Sequence, residues 1–233
     1  MKNERLKSRK RKDQLKGKKI LVTAGPTLEK IDPVRFISNL STGKMGYAIA
    51  ETLAEKGAFV RLVSGPVSVT IDHPNIELIQ IISALEMYDQ SVRIFPDCDA
   101  AILSAAVADY SPVKQFNKKI KHKEDVLYIE LKPTLDIAAT LGQMKRIGQI
   151  LVGFALESEN EIRNAIKKMK KKNLDFIVLN SLRDPGAGFG TDTNRVTIID
   201  RHNNIEEFEL KPKKEVAIDI INKLEEYFDN QIS

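Results

Sequence analysis

Short apolar runs alternate with amphipathic stretches along nearly the whole chain. The runs near 19–24, 59–64, 76–80, 100–104, 150–154 and 175–179 read as buried strands. Helices are expected near 43–56, 83–95, 134–145, 159–172 and 213–228, between or after them. That alternation predicts crossover units and an α/β fold, a Rossmann-like doubly wound and mostly parallel sheet. In the first helix Met45, Ala48, Ile49 and Leu53 share one face, which makes that face core, and Gly57 supplies a stop.

Two segments leave the pattern. From Tyr110 to about residue 125 the chain is rich in Lys and polar residues, and it then runs into the alternating Val126–Leu131. This reads as a mobile flap leading to an extra strand. From Ser181 to Leu210, the residues Pro185, Gly186, Gly188 and Gly190 precede strand-like runs at 195–200 and 205–210, which suits a small β insertion outside the crossover pattern.

The chemistry begins after the first strand. Gly25-Pro26-Thr27 breaks it, and the Ser38–Gly46 stretch then feeds a helix whose start offers unpaired N–H groups and a positive dipole end to an anion. The common nucleotide motifs do not fit there. A Walker loop needs Gly at 38 and Ser or Thr at 45, where Ser38 and Met45 stand. A dinucleotide fingerprint needs Gly in place of Ser41, and the second strand ends in Ser64-Gly65-Pro66 with no carboxylate for a ribose. An NAD(P)-binding oxidoreductase therefore remains only as the alternative reading.

With 233 residues the chain can hold one large domain with a substantial core. Its net charge of +5 misleads, because residues 1–19 carry ten Lys/Arg against two Asp/Glu and the rest carries 27 against 30. Residues 1–17 read as a basic tail or inter-domain linker and residues 18–233 as the domain. No apolar span suits a membrane or a signal sequence, so a cytoplasmic protein with no membrane partner is expected, and no nucleic acid is expected to bind the fold. Cys98 is the single cysteine, which excludes an intrachain disulfide, and three scattered His residues give no metal-ligand spacing.

Single residues carry two readings each. Asn39 either satisfies turn backbone or presents an amide to a substrate. Asp109 follows the apolar run 100–108, at the strand end where ligands gather, and equally suits a helix cap. Lys168 and Lys172 lie one turn apart on one helix face, inside a lysine run that also suits a solvated surface.

Several longer motifs decide between these readings. They are Val22–Thr27, Ile31–Asn39 with Ser41–Gly46, Ala105–Tyr110, Lys119-Ile120-Lys121, Lys132-Pro133-Thr134 with Asp136-Ile137, Gly153-Phe154-Ala155 with Glu157, and Gly186–Gly190. In this order they resemble the synthetase domain of bacterial coenzyme A biosynthesis proteins, the phosphopantothenoylcysteine synthetase family. The resemblance implies ligation of 4′-phosphopantothenate to L-cysteine, driven by CTP with Mg²⁺ through an acyl-cytidylate, with CMP and pyrophosphate released. It implies catalytic roles for Asn39 and Lys119, phosphate contacts from Ser41, Thr42 and Gly43, and backbone contacts to the base from Leu103, Ser104 and Ala105. It places CTP or its metal on Asp109, and CTP on Leu135, Asp136, Ile137, Ala138, Phe154, Lys168 and Lys172. Leu135 stands where a Pro is common, and Lys119–His122 ends in His rather than Lys, so no role passes to His122. The family also implies a homodimer made by the insertion, and a flavin-dependent phosphopantothenoylcysteine decarboxylase as a fused or associated domain.

Overall fold

The computed structural model describes residues 14–121, 126–181 and 190–230. Its elements are β1 (Lys19–Ala24), β2 (Leu28–Lys30), β3 (Phe36–Ser38), α1 (Lys44–Glu55), β4 (Phe59–Ser64), β5 (Ile76–Gln80) and α2 (Ala84–Ile94). There follow β6 (Ala100–Leu103), β7 (Tyr110–Pro112), β8 (Leu131–Pro133), α3 (Ile137–Met144), β9 (Ile150–Glu157), α4 (Glu161–Lys171) and β10 (Phe176–Ser181). The chain ends with β11 (Thr193–Asn194), β12 (Val196–Asp200), β13 (Ile205–Glu207), β14 (Lys211–Pro212) and α5 (Lys213–Asn230).

An eight-stranded sheet runs in the order β13-β12-β10-β9-β6-β1-β4-β5. Every pairing from β5 through to β10 is parallel. Alternate strand residues feed two cores, as the two-residue period of a strand requires. Ile20, Val22, Ile102 and Val152 pack with α1 and α5 on one face. Leu21, Ala101, Leu151 and Ile177 pack with α2, α3 and α4 on the other. Covering both faces explains why these strands are continuous apolar runs. The expected α/β, Rossmann-like, doubly wound and mostly parallel sheet is the observed fold. Met45, Ile49 and Leu53 of α1 are buried as expected, and Gly57 ends that helix at φ 88°.

Some expected boundaries move. The fold reaches back to Leu15, which is fully buried among α1, α5 and the sheet. The strand-like runs of the 181–210 insertion do not stand outside the main sheet: β12 pairs antiparallel with β10, and β13 with β12, extending its edge. The glycine-rich part, residues 182–189, lies outside the described residues, as do residues 122–125 of the expected flap. The extra strand expected at Val126–Leu131 is displaced to Leu131–Pro133, because its ladder is set by Tyr110 opposite Pro133 and Pro112 opposite Leu131. α3 opens at Ile137 rather than at 134, since Asp136 takes the N-cap conformation.

The sheet order reverses between β1 and β6: the chain first builds outward through β4 and β5, then returns to build outward through β9 and β10. In open α/β sheets the crevice at the strand ends beside such a switch is where ligands sit.

Candidate active site

Two adjoining cavities occupy that crevice and share Ala105, Ala106, Phe154, Ala155 and Leu156 as a common wall. The smaller, about 150 Å³, is lined by Ser41–Gly46, Ser104, Asn180, Asn194 and Lys213. The larger, about 490 Å³, is bordered by Asn39, Asp109, Leu135–Ala138, Lys168 and Lys172.

The start of α1 forms the floor of the smaller cavity. Gly43 is its N-cap at φ 76° and makes no side-chain cap, so no side chain competes for the first-turn N–H groups. A Cβ on Gly43 would lie 2.6 Å from Val67 Cγ1, so both the turn and the space require glycine. Ser41 Oγ accepts the Gly43 N–H at 3.3 Å. Across the cavity Lys44 pairs with Asp192, whose carboxyl that contact holds below its ordinary range. Burial pushes the Lys213 ammonium down, and it donates to Thr193 O at 3.0 Å.

The loop that follows β6 is stitched in place by its neighbours. Ser104 N donates to Thr23 O at 3.2 Å and Ala106 N to Gly25 O at 2.9 Å. Thr134 closes the far side, its hydroxyl donating to Ala108 O at 2.7 Å and its N–H to Asp109 O at 2.9 Å. The backbone of Asp109 is thereby held at the lip, with its exposed side chain beside the larger cavity. Asn39 Nδ2 donates to Ala106 O at 2.8 Å, which fixes its amide against the same loop.

The far wall of the larger cavity carries the two lysines, and each has a carboxylate partner. Lys168 pairs with Glu157, and Lys172 Nζ lies 3.0 Å from Asp136 Oδ2. Asp136 Oδ1 accepts the Ala139 N–H at 3.0 Å, so one carboxylate both caps α3 and holds Lys172.

Ser41, Thr42, Gly43, Leu103, Ser104, Ala105, Asp109, Leu135, Asp136, Ile137, Ala138, Phe154, Lys168, Lys172 and Asn39 all line this crevice. Lys119 does not; it is exposed, on a segment fastened through Ile120. Asn180, Asn194 and Lys213 were not singled out from the sequence, where no motif links them to the Ser41–Gly46 turn. Cys98 is buried and burial pushes its thiol up to about 11, so it stays protonated at neutral pH. Among the described residues no cluster of three metal-binding side chains occurs. In place of a ribose carboxylate, β4 ends in the buried Ser64, whose hydroxyl donates to Gly65 O at 2.8 Å, and nothing supports the oxidoreductase alternative.

Fold and crevice thus define a Rossmann-like α/β protein with a cleft at its topological switch. Residues 15–228 match the family described as DNA/pantothenate metabolism flavoprotein C-terminal domain, and the chain belongs to that family. It is 45% identical over 212 residues to the coenzyme A biosynthesis bifunctional protein CoaBC of Bacillus subtilis, covering 90% of this chain and 52% of that protein. It is 57% identical over 210 residues to a protein of an unknown prokaryotic organism named cysteine/cysteine sulfinic acid decarboxylase, covering 90% of this chain and 58% of that one. The chain therefore spans little more than half the length of these relatives. A crystal structure of the C-terminal domain of a CoaBC protein superposes with a TM-score of 0.79 at 41% identity, covering 94% of this chain and 99% of that one. Among the described residues no helix is long and apolar enough to cross a membrane.

Proposed function

We propose that this chain is a CTP-dependent acid–amine ligase that joins 4′-phosphopantothenate to L-cysteine in coenzyme A biosynthesis, in the cytoplasm. The observation that carries the reading is the larger cavity, where Asn39, Asp109, Asp136, Lys168 and Lys172, scattered over 134 residues of chain, meet at the switch point. The relative named a bifunctional coenzyme A biosynthesis protein, and the 41% identical C-terminal domain, support it.

A carboxylate is a poor electrophile. One of its oxygens must first attack the α-phosphorus of CTP, expelling pyrophosphate and giving an acyl-cytidylate; the cysteine nitrogen then attacks the acyl carbon and expels CMP. Such a path needs positioned cations and N–H donors rather than a protein nucleophile. Lys168 and Lys172 would exchange Glu157 and Asp136 for the triphosphate, and the Gly43 helix start would take a phosphate. Asn39, held against Ala106, would donate to the acyl oxygen, and Lys119 would neutralise the α-phosphate. Mg²⁺ is typically held by one or two carboxylates together with substrate phosphates, and the single Asp109 carboxylate at the lip fits an ion carried in on CTP, where it would neutralise phosphate charge.

The partner this reading gives the fold is a second copy. The insertion from which that homodimer is expected extends the main sheet through β12 and β13. A second apolar surface that a partner copy would cover is formed by Phe36, Leu40 and Tyr110, 54%, 85% and 53% exposed on and beside the β2–β3 and β7–β8 strand pairs. The flavin-dependent decarboxylase remains the proposed fused or associated domain. A reaction of the chain with CTP, phosphopantothenate and cysteine, followed by mass spectrometry, tests the ligase reading. The name of the 57% identical relative supplies the second reading, so carbon dioxide release from cysteine and cysteine sulfinate belongs in the same experiment. Amide product with no such release supports the ligase; release without amide product refutes it.

A further inference from the structure

Among the described residues Asp32 is the one buried carboxylate that bonds to the segment carrying Lys119, and it stands in the hairpin that leads to Asn39. Its side chain is fully shielded from solvent, a costly position for a charge unless donors surround it. They do, and they divide between its two oxygens. Oδ1 accepts the N–H groups of Val34 and Arg35, both at 2.9 Å, which builds the turn between β2 and β3. Oδ2 accepts from Arg35 Nε at 3.0 Å and Nη2 at 2.6 Å, and from the N–H of Ile120 at 3.1 Å, 88 residues away. Arg35 Nη2 then donates to Ile120 O at 2.8 Å, and Phe116 N donates to Ile31 O at 2.9 Å. These N–H and guanidinium donors outweigh the effect of burial and hold the Asp32 carboxyl well below the usual carboxylate range.

Turn formation alone requires only Oδ1. Oδ2 reaches the segment that carries Lys119, the residue before Ile120, directly through the Ile120 N–H and indirectly through Arg35, whose Nη2 bonds both Oδ2 and Ile120 O. On the other side, β3 leads straight from this turn to Asn39. The sequence reading expected a flap with little to hold it; the structure instead pins its backbone on both sides of Lys119 at a fixed place on the β2–β3 hairpin.

We infer that Asp32 is a positioning residue for Lys119, tying the flap to the hairpin that carries Asn39 so that the ammonium and the amide approach one acyl-nucleotide. The inference rests on the ligase reading. Asp32→Asn isolates it. An Asn keeps one acceptor oxygen for the Val34 and Arg35 N–H groups, but turns an NH₂ donor toward the Ile120 N–H and the guanidinium.

The test compares the wild-type chain, Asp32→Asn, Lys119→Gln and the double variant by tryptic cleavage, CTP titration and turnover. Asp32→Asn is expected to speed cleavage after Lys118, Lys119 and Lys121 and to lower kcat about tenfold, with the CTP dissociation constant changed less than about twofold and thermal melting still cooperative. Because both act through one group, the double variant should turn over no more slowly than Lys119→Gln alone. Multiplied losses in the double variant, unchanged cleavage, or normal turnover of Asp32→Asn would overturn the inference while leaving the ligase intact. No ligation by the wild-type chain would instead overturn the functional reading and this inference with it.

Discussion

Lys172 Nζ lies 3.0 Å from Asp136 Oδ2, joining the end of α4 to the N-terminus of α3 across the mouth of the larger cavity. The same carboxylate caps the helix start whose N–H groups a triphosphate would use. On the proposed ligase reading, an incoming nucleotide and Asp136 would compete for one ammonium and one helix dipole.

That competition gives two substitutions opposite signs. Lys172→Met should weaken CTP binding about tenfold, the loss of roughly one charge-assisted contact. Asp136→Asn keeps an acceptor for the Ala139 N–H but removes the negative charge, so CTP binding should tighten severalfold. Equilibrium titration with CTP reads both, and weakening by both variants would contradict the competition.

Asn39→Asp replaces the N–H donor that now holds Ala106 O with a carboxylate oxygen facing a carbonyl, and sets a negative charge where the acyl-cytidylate phosphate would lie. The first step should survive while the second slows, so mass spectrometry should show the acyl-cytidylate accumulating. Normal turnover to the amide would remove Asn39 from the mechanism.

Gly43→Ala must adopt φ 76° and place its Cβ 2.6 Å from Val67 Cγ1. The left-handed conformation alone costs about 1–2 kcal/mol. The melting temperature should fall, and affinity for phosphopantothenate should fall with it as the helix start shifts; an unchanged melting curve would show that the turn tolerates a side chain.

Stability should decline in alkali. Burial pushes the Cys98 thiol up to about 11 and the Tyr227 phenol up to about 12. Both groups stay protonated in the folded chain above the pH at which the unfolded chain releases its protons. Their contribution is complete below about pH 8.5, where neither unfolded group ionises, and is lost as pH rises through 11 and 12. Denaturant unfolding between pH 8 and 11 should show the decline, and Cys98→Ala with Tyr227→Phe should flatten it.

Much of the fold was legible because parallel strands buried on both faces must be continuous apolar runs, as Ile20–Val22 and Ala100–Ile102 are. Asp109 was legible because the run 100–108 before it ends β6 beside the switch point; Leu135–Ala138, which follows β8 of a separate two-stranded sheet, was legible only through the family motifs. The alternation in Val196–Asp200 fitted a separate sheet as well as an antiparallel edge, so pattern alone could not place it. The pairing of Lys168 with Glu157 and of Lys172 with Asp136 depends on how α4 docks beside β9 and α3, which no local pattern records. Asn194 and Lys213 reach the Gly43 turn from the far end of the chain, again through tertiary packing.

The dimer proposal is tested by light scattering at micromolar concentration. The chain should have twice its monomer mass, and Phe36→Asp with Leu40→Asp should split it, because charges on an apolar rim cannot be buried without partners. A stable monomer of full activity would refute the proposal.

The measurement closest to the central claim is pyrophosphate release in a single turnover with cysteine left out. CTP and 4′-phosphopantothenate together should release about one equivalent per active site and leave an acyl-cytidylate on the protein, while either alone should release none. Pyrophosphate release that needs cysteine, or that proceeds without phosphopantothenate, would contradict the account.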